Sequence, residues 1–257
     1  MISENFELLV AGTRATLQRV ADEFTPAALA SSLAAEDMVL TDMILRDKLQ
    51  DRIGIFTLET GRLHAETLNV LDRIRETYGY EVALYRPEQQ AVNVYINQHG
   101  LDAFYDSVDL RKECCRIRKV EPLNRALQGK RAWITGQRRT QSSTRAELLL
   151  QERDDAHDMV KFNPLVDWSE EDVWHYIRSN NVPYNALHDR GYPSIGCEPC
   201  TRAIQPGEDV RAGRWWWESA DSKECGLHLV TDANGVQRLV RASAKANVSG
   251  ANVKGTK

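Results

Sequence analysis

The sequence predicts an α/β fold with a mainly parallel twisted sheet flanked by helices. Three observations predict it. Apolar runs at 27–33, 52–57, 81–85, 132–135 and 160–162 alternate with stretches of helical periodicity, the pattern of βαβ units. Polar motifs rich in small residues sit at or just after several of these runs, where ligands of such sheets bind. A chain of 257 residues with 42% hydrophobic and 27% charged residues has the make-up of one or two globular domains, not of a disordered or fibrous protein.

Each element has a local reason. Phe6 to Phe24 places Leu8, Leu9, Ala15, Leu17, Val20 and Ala21 at helical spacing, and Pro26 follows. Ala27 to Leu33 is a strand; Ala34-Ala35-Glu36-Asp37 leads from it into a helix over Met38 to Leu49. Arg52 to Thr57 is the second strand, Thr60-Gly61-Arg62 its turn, and Leu63 to Tyr78 the next helix. Glu81 to Tyr85 is the third strand, closed by Pro87, with helices over 88–99 and 108–127. Ala132 to Thr135 is the fourth strand and ends at Gly136; Val160 to Phe162 is a fifth, closed by Asn163-Pro164. Ser169 is an N-cap for a helix over Glu170 to Arg178, whose Val173, Trp174, Tyr176 and Ile177 make an apolar face. Pro183 to Pro206 is a long loop organised around Cys197-Glu198-Pro199-Cys200, and loops of that length usually carry function. Trp215-Trp216-Trp217 cannot all face one core, and at least one of them is expected to pack inside. The tail from about 242, rich in Ala, Ser, Asn, Lys and Gly, reads as disordered.

The formal net charge is −4, but it is unevenly spread. Residues 101–145 hold 11 Lys/Arg against 5 Asp/Glu; the rest of the chain holds 22 against 32. A basic island in an acidic chain points to a small anionic ligand and away from a general nucleic-acid binder. The first eight residues carry Glu4 and Glu7 and lack the layout of a secretion signal. No apolar run approaches the roughly 18 residues of a membrane span. The expectation is a soluble cytoplasmic protein. Neither GxxxxGKS nor GxGxxG is present, so the common nucleotide loops are excluded. Ser31-Ser32 before Glu36-Asp37, Glu59-Thr60-Gly61-Arg62 and Gly136-Gln137-Arg138-Arg139 instead offer hydroxyls, N–H groups and cations to a phosphate-like anion.

The five cysteines divide as four plus one: Cys114-Cys115, Cys197-x-x-Cys200, and Cys225 alone. An odd number without a secretion signal argues against a disulfide framework. Neighbouring side chains diverge, so Cys114 and Cys115 would strain a single zinc ion, whereas an iron–sulfur cube offers each ligand a different iron. A 4Fe-4S cluster on Cys114, Cys115, Cys197 and Cys200 is therefore preferred, with structural zinc second and buried free thiols third. Cys225 has Lys223 and His228 nearby to lower its pKa and Glu224 to oppose them. From spacing alone it is a weak candidate nucleophile.

Over roughly residues 25–230 the ordered set of motifs resembles the assimilatory sulfonucleotide reductases, and within them the cluster-bearing adenylyl-sulfate (APS) reductases. It comprises Ser31-Ser32 with Glu36-Asp37, Glu59-Thr60-Gly61-Arg62-Leu63, Cys114-Cys115 with Lys119, Gly136 to Ser142, Asn163-Pro164-Leu165, Cys197 to Arg202, Arg211-Ala212-Gly213-Arg214-Trp215-Trp216 and Glu224 to His228. Glu59 departs from the Asp of many relatives. The resemblance implies a nucleotide fold of the adenine-nucleotide alpha-hydrolase type over 1–205, holding substrate and cluster, and an arm over 206–257 that carries the catalytic cysteine. It implies reduction of APS to sulfite and AMP with thioredoxin as electron donor, through an S-sulfo intermediate on Cys225. The implied cluster ligands are Cys114, Cys115, Cys197 and Cys200, with Lys119 linking cluster and substrate. Implied substrate contacts are Ser31, Ser32, Glu59, Arg62, Arg138, Arg145, Arg211 and Arg214, with His228 in support. Use of the 3′-phosphorylated substrate (PAPS), alone or alongside APS, and assembly as a homo-oligomer stay open. Two readings of another class are an ATP-using tRNA-thiolation enzyme on the same nucleotide fold, which the acidic balance disfavours, and a zinc-stabilised binding module.

Overall fold

The structure, a computed structural model, describes residues 2, 4–142, 145–218, 229–231 and 237–239. Its centre is a six-stranded sheet ordered β3-β2-β1-β4-β6-β5, from β1 (Ala27–Ala30), β2 (Ile53–Leu58), β3 (Ala83–Tyr85), β4 (Ala132–Ile134), β5 (Gln151–Asp154) and β6 (Met159–Phe162). All pairs are parallel except β5 with β6. Leu29 of β1 stands in register with Ile55 on one side and Ile134 on the other. β7 (Leu229–Thr231) and β8 (Gln237–Leu239) form a separate antiparallel pair.

The side-chain alternation of the central strands explains the two layers. Leu29, Ile53, Ile55, Ala132, Ile134 and Phe162 face a large core. It is completed by α1 (Phe6–Glu23), α2 (Ala35–Arg46), α3 (Ala65–Tyr78) and α7 (Glu170–Ser179), through residues such as Leu17, Met38, Val70 and Tyr176. The intervening residues Ala28, Phe56, Trp133 and Met159 face the other way. There they meet Leu123, Ala126 and Leu127 of α6 (Glu121–Leu127). No helix among the described residues is long and apolar enough to cross a membrane.

The expected elements are present with two instructive differences. The helix expected over 108–127 is α5 (Val108–Cys115), a π-helical stretch over Arg116–Val120, and α6; α4 (Gln89–His99) precedes it. π-Turns inside helices recur at functional sites, and this one carries Lys119. The second difference is β5, which sequence periodicity did not show. Its Gln-Glu-Arg-Asp run is wholly polar, yet Glu152 and Asp154 point inward. Ser169 caps α7 as expected, its Oγ accepting from Asp172 N–H. Of the three tryptophans, Trp215 is buried and Trp216 exposed. The tail expected to be disordered lies outside the described residues.

Candidate functional site

A cleft of about 540 Å³ opens at the carboxyl ends of the central strands. Chain order reverses between β1 and β4, the switch point where doubly wound sheets bind ligands. Ser31 and Ser32 reach it from β1, Leu58 and Thr60 from β2, and Thr135, Gly136, Gln137 and Arg138 from β4. Lys119, Arg145, Arg211 and Arg214 enter its wall from outside the sheet.

The floor is built on two carboxylates at the start of α2, Asp37 buried and Glu36 half-buried. Asp37 accepts from Ser32 N–H and Oγ at 2.6 Å each and from Gly136 N–H at 3.0 Å. Burial pushes its carboxyl up to about 6, outweighing the hydrogen bonds that favour the anion. The approach explains Gly136: a Cβ there would lie 2.5 Å from Asp37 Oδ1 and 2.8 Å from Glu36 Cβ. Glu36 receives Arg138 through Nε and Nη2 at 2.9 and 2.8 Å, and Gln141 Nε2 at 2.9 Å. Burial opposes ionisation of Glu36, but the Arg138 charge and the Gln141 bond hold it below the usual carboxylate range. Arg138 therefore reaches the cleft as one half of an ion pair.

A second, smaller cavity is lined by Cys114, Cys115, Cys197 and Cys200. All four are free thiols, three buried and Cys114 half-buried. The CxxC turn is held by Cys200 N–H donating to Cys197 O and Glu198 N–H to Arg62 O. Thr60 Oγ1 lies 3.2 Å from Cys197 Sγ. Burial first, then the neighbouring Cys197, pushes the Cys200 thiol up to about 12 and the Cys114 thiol upward. Lys119 and Arg214 pull Cys200 the other way, as Arg118 and Lys119 do Cys114. Such thiols ionise when a multivalent cation takes up their charge. Among the described residues no group of three or more His, Cys, Asp or Glu is arranged to hold a metal ion. Four sulfurs spread around one cavity suit a polynuclear centre, which gives each ligand its own metal atom, better than one zinc.

The two cavities share Lys119 and Trp215 in their walls. Trp215 is in contact with two guanidinium groups, Arg111 at 4.8 Å and Arg214 at 4.6 Å from its ring centroid. Arg111 lines the thiol cavity and is paired with Glu218 at 2.8 and 2.7 Å, both side chains buried. Arg214 lines the cleft and donates to Ile195 O. Its guanidinium occupies the space a Cβ on Gly196 would need.

Of the residues singled out from sequence, the cleft gathers Ser31, Ser32, Lys119, Arg138, Arg145, Arg211 and Arg214. Two stand apart from it. Glu59 accepts from Gly61 N–H at 2.6 Å and from Arg86 Nε at 3.1 Å. Arg62 donates to Leu101 O and Asp102 and lies over the Phe104 ring, on the thiol-cavity side. Cys225 and His228 lie outside the described residues. Sequence reasoning missed Arg111, a member of the basic island with no motif around it. It also passed over Gln137, although that residue stands inside a motif.

A profile of the phosphoadenosine phosphosulfate reductase domain matches residues 26–203. The adenosine 5′-phosphosulfate reductase of Burkholderia cepacia is 62% identical over 217 residues, 84% of this chain and 86% of the relative. That of Allochromatium vinosum is 56% identical over 212 residues, 82% of each. Among solved structures, the phosphoadenylyl-sulfate (PAPS) reductase of Candida auris, a phosphate complex, superposes with a TM-score of 0.64 at 25% identity. It covers 79% of this chain and 98% of its own. The FMN adenylyltransferase of Candida glabrata shares the fold alone, at 14% identity and a TM-score of 0.53.

Proposed function

The chain belongs to the phosphoadenosine phosphosulfate reductase family, and we propose that it reduces adenylyl sulfate (APS) to sulfite and AMP with thioredoxin as electron donor. The observation that carries the reading is the meeting of two sites at Lys119 and Trp215. One is a cleft at the switch point of a nucleotide-binding sheet; the other is a cavity of four cysteines. Relatives at 56–62% identity carrying the name adenosine 5′-phosphosulfate reductase support APS as the substrate.

The chemistry needs an electrophilic sulfur with its negative oxygens balanced. Lys119, Arg145, Arg211 and Arg214 are the cations of the cleft wall suited to that balance. The Cys225 thiolate attacks the sulfur; the new S–S bond forms as the S–O bond to AMP breaks, and AMP leaves with the electron pair. A thioredoxin thiolate then attacks Cys225 Sγ, releasing sulfite and forming a mixed disulfide that thioredoxin's second thiol resolves. Sulfur falls from the +6 to the +4 state, and two thiols become one disulfide, so electrons balance. His228 is assigned a supporting role beside Cys225. Cys114, Cys115, Cys197 and Cys200 would hold a 4Fe-4S cluster, which would supply local charge to the site and would not be needed as an electron carrier in this scheme. Cytoplasmic residence suits thiols that must stay reduced.

The test is sulfite release from APS and from PAPS, side by side, with reduced thioredoxin. Cys225→Ser should bind APS with unchanged affinity and lose essentially all turnover. Wild type given APS alone should gain about 80 Da, one SO₃ group, on the Cys225 peptide, as covalent catalysis requires. An adduct on another cysteine, or a Ser variant that turns over, would defeat the mechanism. Faster sulfite release from PAPS than from APS would reassign the substrate.

A further inference from the structure

Behind the β4 edge of the cleft lies a charged pair with no part in the chemistry above. Lys161 of β6 and Glu152 of β5 pair at 2.9 Å with side-chain exposures of 3% and 2%. Glu152 Oε1 also accepts from Asn163 Nδ2 at 2.9 Å, and Asn163 Oδ1 accepts from Thr135 Oγ1 at 2.6 Å. The pair is thus tied to the strand ends that form the cleft. The Lys161 ammonium lies 5.6 Å from the Trp133 ring centroid and donates to Gln137 Oε1 at 2.8 Å.

An ammonium has donors and no acceptor, so the carbonyl end of the Gln137 amide must face it. Flipping the amide would set NH₂ against NH₃⁺, donor against donor, in a buried site. Gln137 also lines the cleft, and with its carbonyl engaged by Lys161 the end of the amide left for a ligand is the NH₂, two donors and no acceptor. A cation at the carbonyl also polarises the amide and strengthens those donors. Lys119 and Arg145 line the same cleft, so the acceptor that suits this position is an anionic oxygen rather than a nucleobase nitrogen.

We propose that Gln137 is a specificity-determining residue that donates to an anionic oxygen of the nucleotide's phosphate–sulfate group, and that the buried Glu152–Lys161 pair is the positioning device that fixes its donor end outward. The proposal rests on the nucleotide reading above and deepens it. The pair acts through Gln137 and touches no reacting atom.

The experiment measures dissociation constants of adenosine and AMP, with melting temperature as a control for folding. Gln137→Ala should weaken AMP about tenfold or more, as loss of a hydrogen bond to a charged group does, and leave adenosine within twofold. Gln137→Glu, which brings a carboxylate to the anion, should weaken AMP further. Removing the pair without leaving a lone charge, Lys161→Met with Glu152→Gln, should also weaken AMP. In the Gln137→Ala background it should add nothing, since two changes acting through one contact are not additive. Lys161→Arg keeps a donor-only cation and should hold AMP affinity within threefold, which tests the positioning claim even if the double variant does not fold. Equal losses for adenosine and AMP, additive effects of the pair and Gln137, or a wild type that binds adenosine as tightly as AMP would each overturn the proposal. Absence of sulfite release from APS with the AMP pattern intact would instead sink only the reductase reading.

Discussion

The nucleotide cleft and the thiol cavity share a wall, yet they solve the problem of buried charge in opposite ways. In and just behind the cleft the charged groups are already matched: Glu36 with Arg138, Asp37 with two N–H groups and a hydroxyl, Lys161 with Glu152. In the cavity four thiols line one wall, and burial, with the neighbouring Cys197, drives Cys114 and Cys200 toward the protonated thiol. The difference teaches that the cleft is preorganised by the chain's own residues, whereas buried thiols without such partners stay protonated unless a cation takes up their charge. Lys119 and Trp215 are the residues common to both walls.

That contrast can be broken or sharpened in four ways, taken from the largest expected effect to the smallest. Cys197→Ser or Cys114→Ser should deplete the protein of iron and sulfide and abolish most activity, while AMP binding in the cleft survives. Elemental analysis beside AMP titration reads both, and full iron content in both variants would refute the ligand assignment. Glu218→Ala removes the carboxylate partner of the buried Arg111 guanidinium and should cost about 3–5 kcal/mol of stability, the usual result of removing one partner of a buried pair. Urea denaturation measures it, and a loss below about 1 kcal/mol would show that Cys115 and the Trp215 ring suffice to satisfy Arg111.

Lys119→Ala should keep the iron and lose about 10²–10³ in turnover, or about 2.7–4 kcal/mol, as when one positioned donor to a developing anion is removed. Unchanged turnover at saturating APS would remove Lys119 from the chemistry. The smallest effect concerns pH and the cleft. Asp37 has a folded-state pKa raised to about 6, so the protonated form it favours when folded contributes stability below its ordinary value near 3.8. That contribution is lost as pH rises through about 6. Stability of wild type relative to Asp37→Asn should therefore fall by about 2–3 kcal/mol between pH 4 and 7. A flat difference across that range would mean the three donors hold Asp37 ionised throughout.

Much of this was legible in the residues. Apolar runs bounded by Pro and Gly located β1, β2 and β4, and Ser169 with Asp172 three residues later marked the start of α7. The four-plus-one division of cysteines separated four candidate ligands from Cys225, and those four do line one cavity. What escaped had a physical reason in each case. β5 carries no apolar alternation because its inward residues, Glu152 and Asp154, are satisfied by Lys161, Trp133 and His157 and not by a hydrophobic core. Glu59 and Arg62 sit within a cleft motif, but their side chains turn to Arg86 and Asp102, partners 27 and 40 residues away in the chain.

The sequence by itself determined the fold class, the order of the main elements, the basic island and the grouping of the cysteines, because periodicity, turn chemistry and residue type are local properties of the chain. Only the tertiary structure decided which charges are spent and which are offered. Arg138 is matched by Glu36 from 102 residues away, Arg111 by Glu218 from 107, and the carbonyl of Gln137 by Lys161 from 24. Burial makes those pairings consequential, since away from water a charge must find its partner within the protein, and which partner is near is a matter of folding and not of spacing.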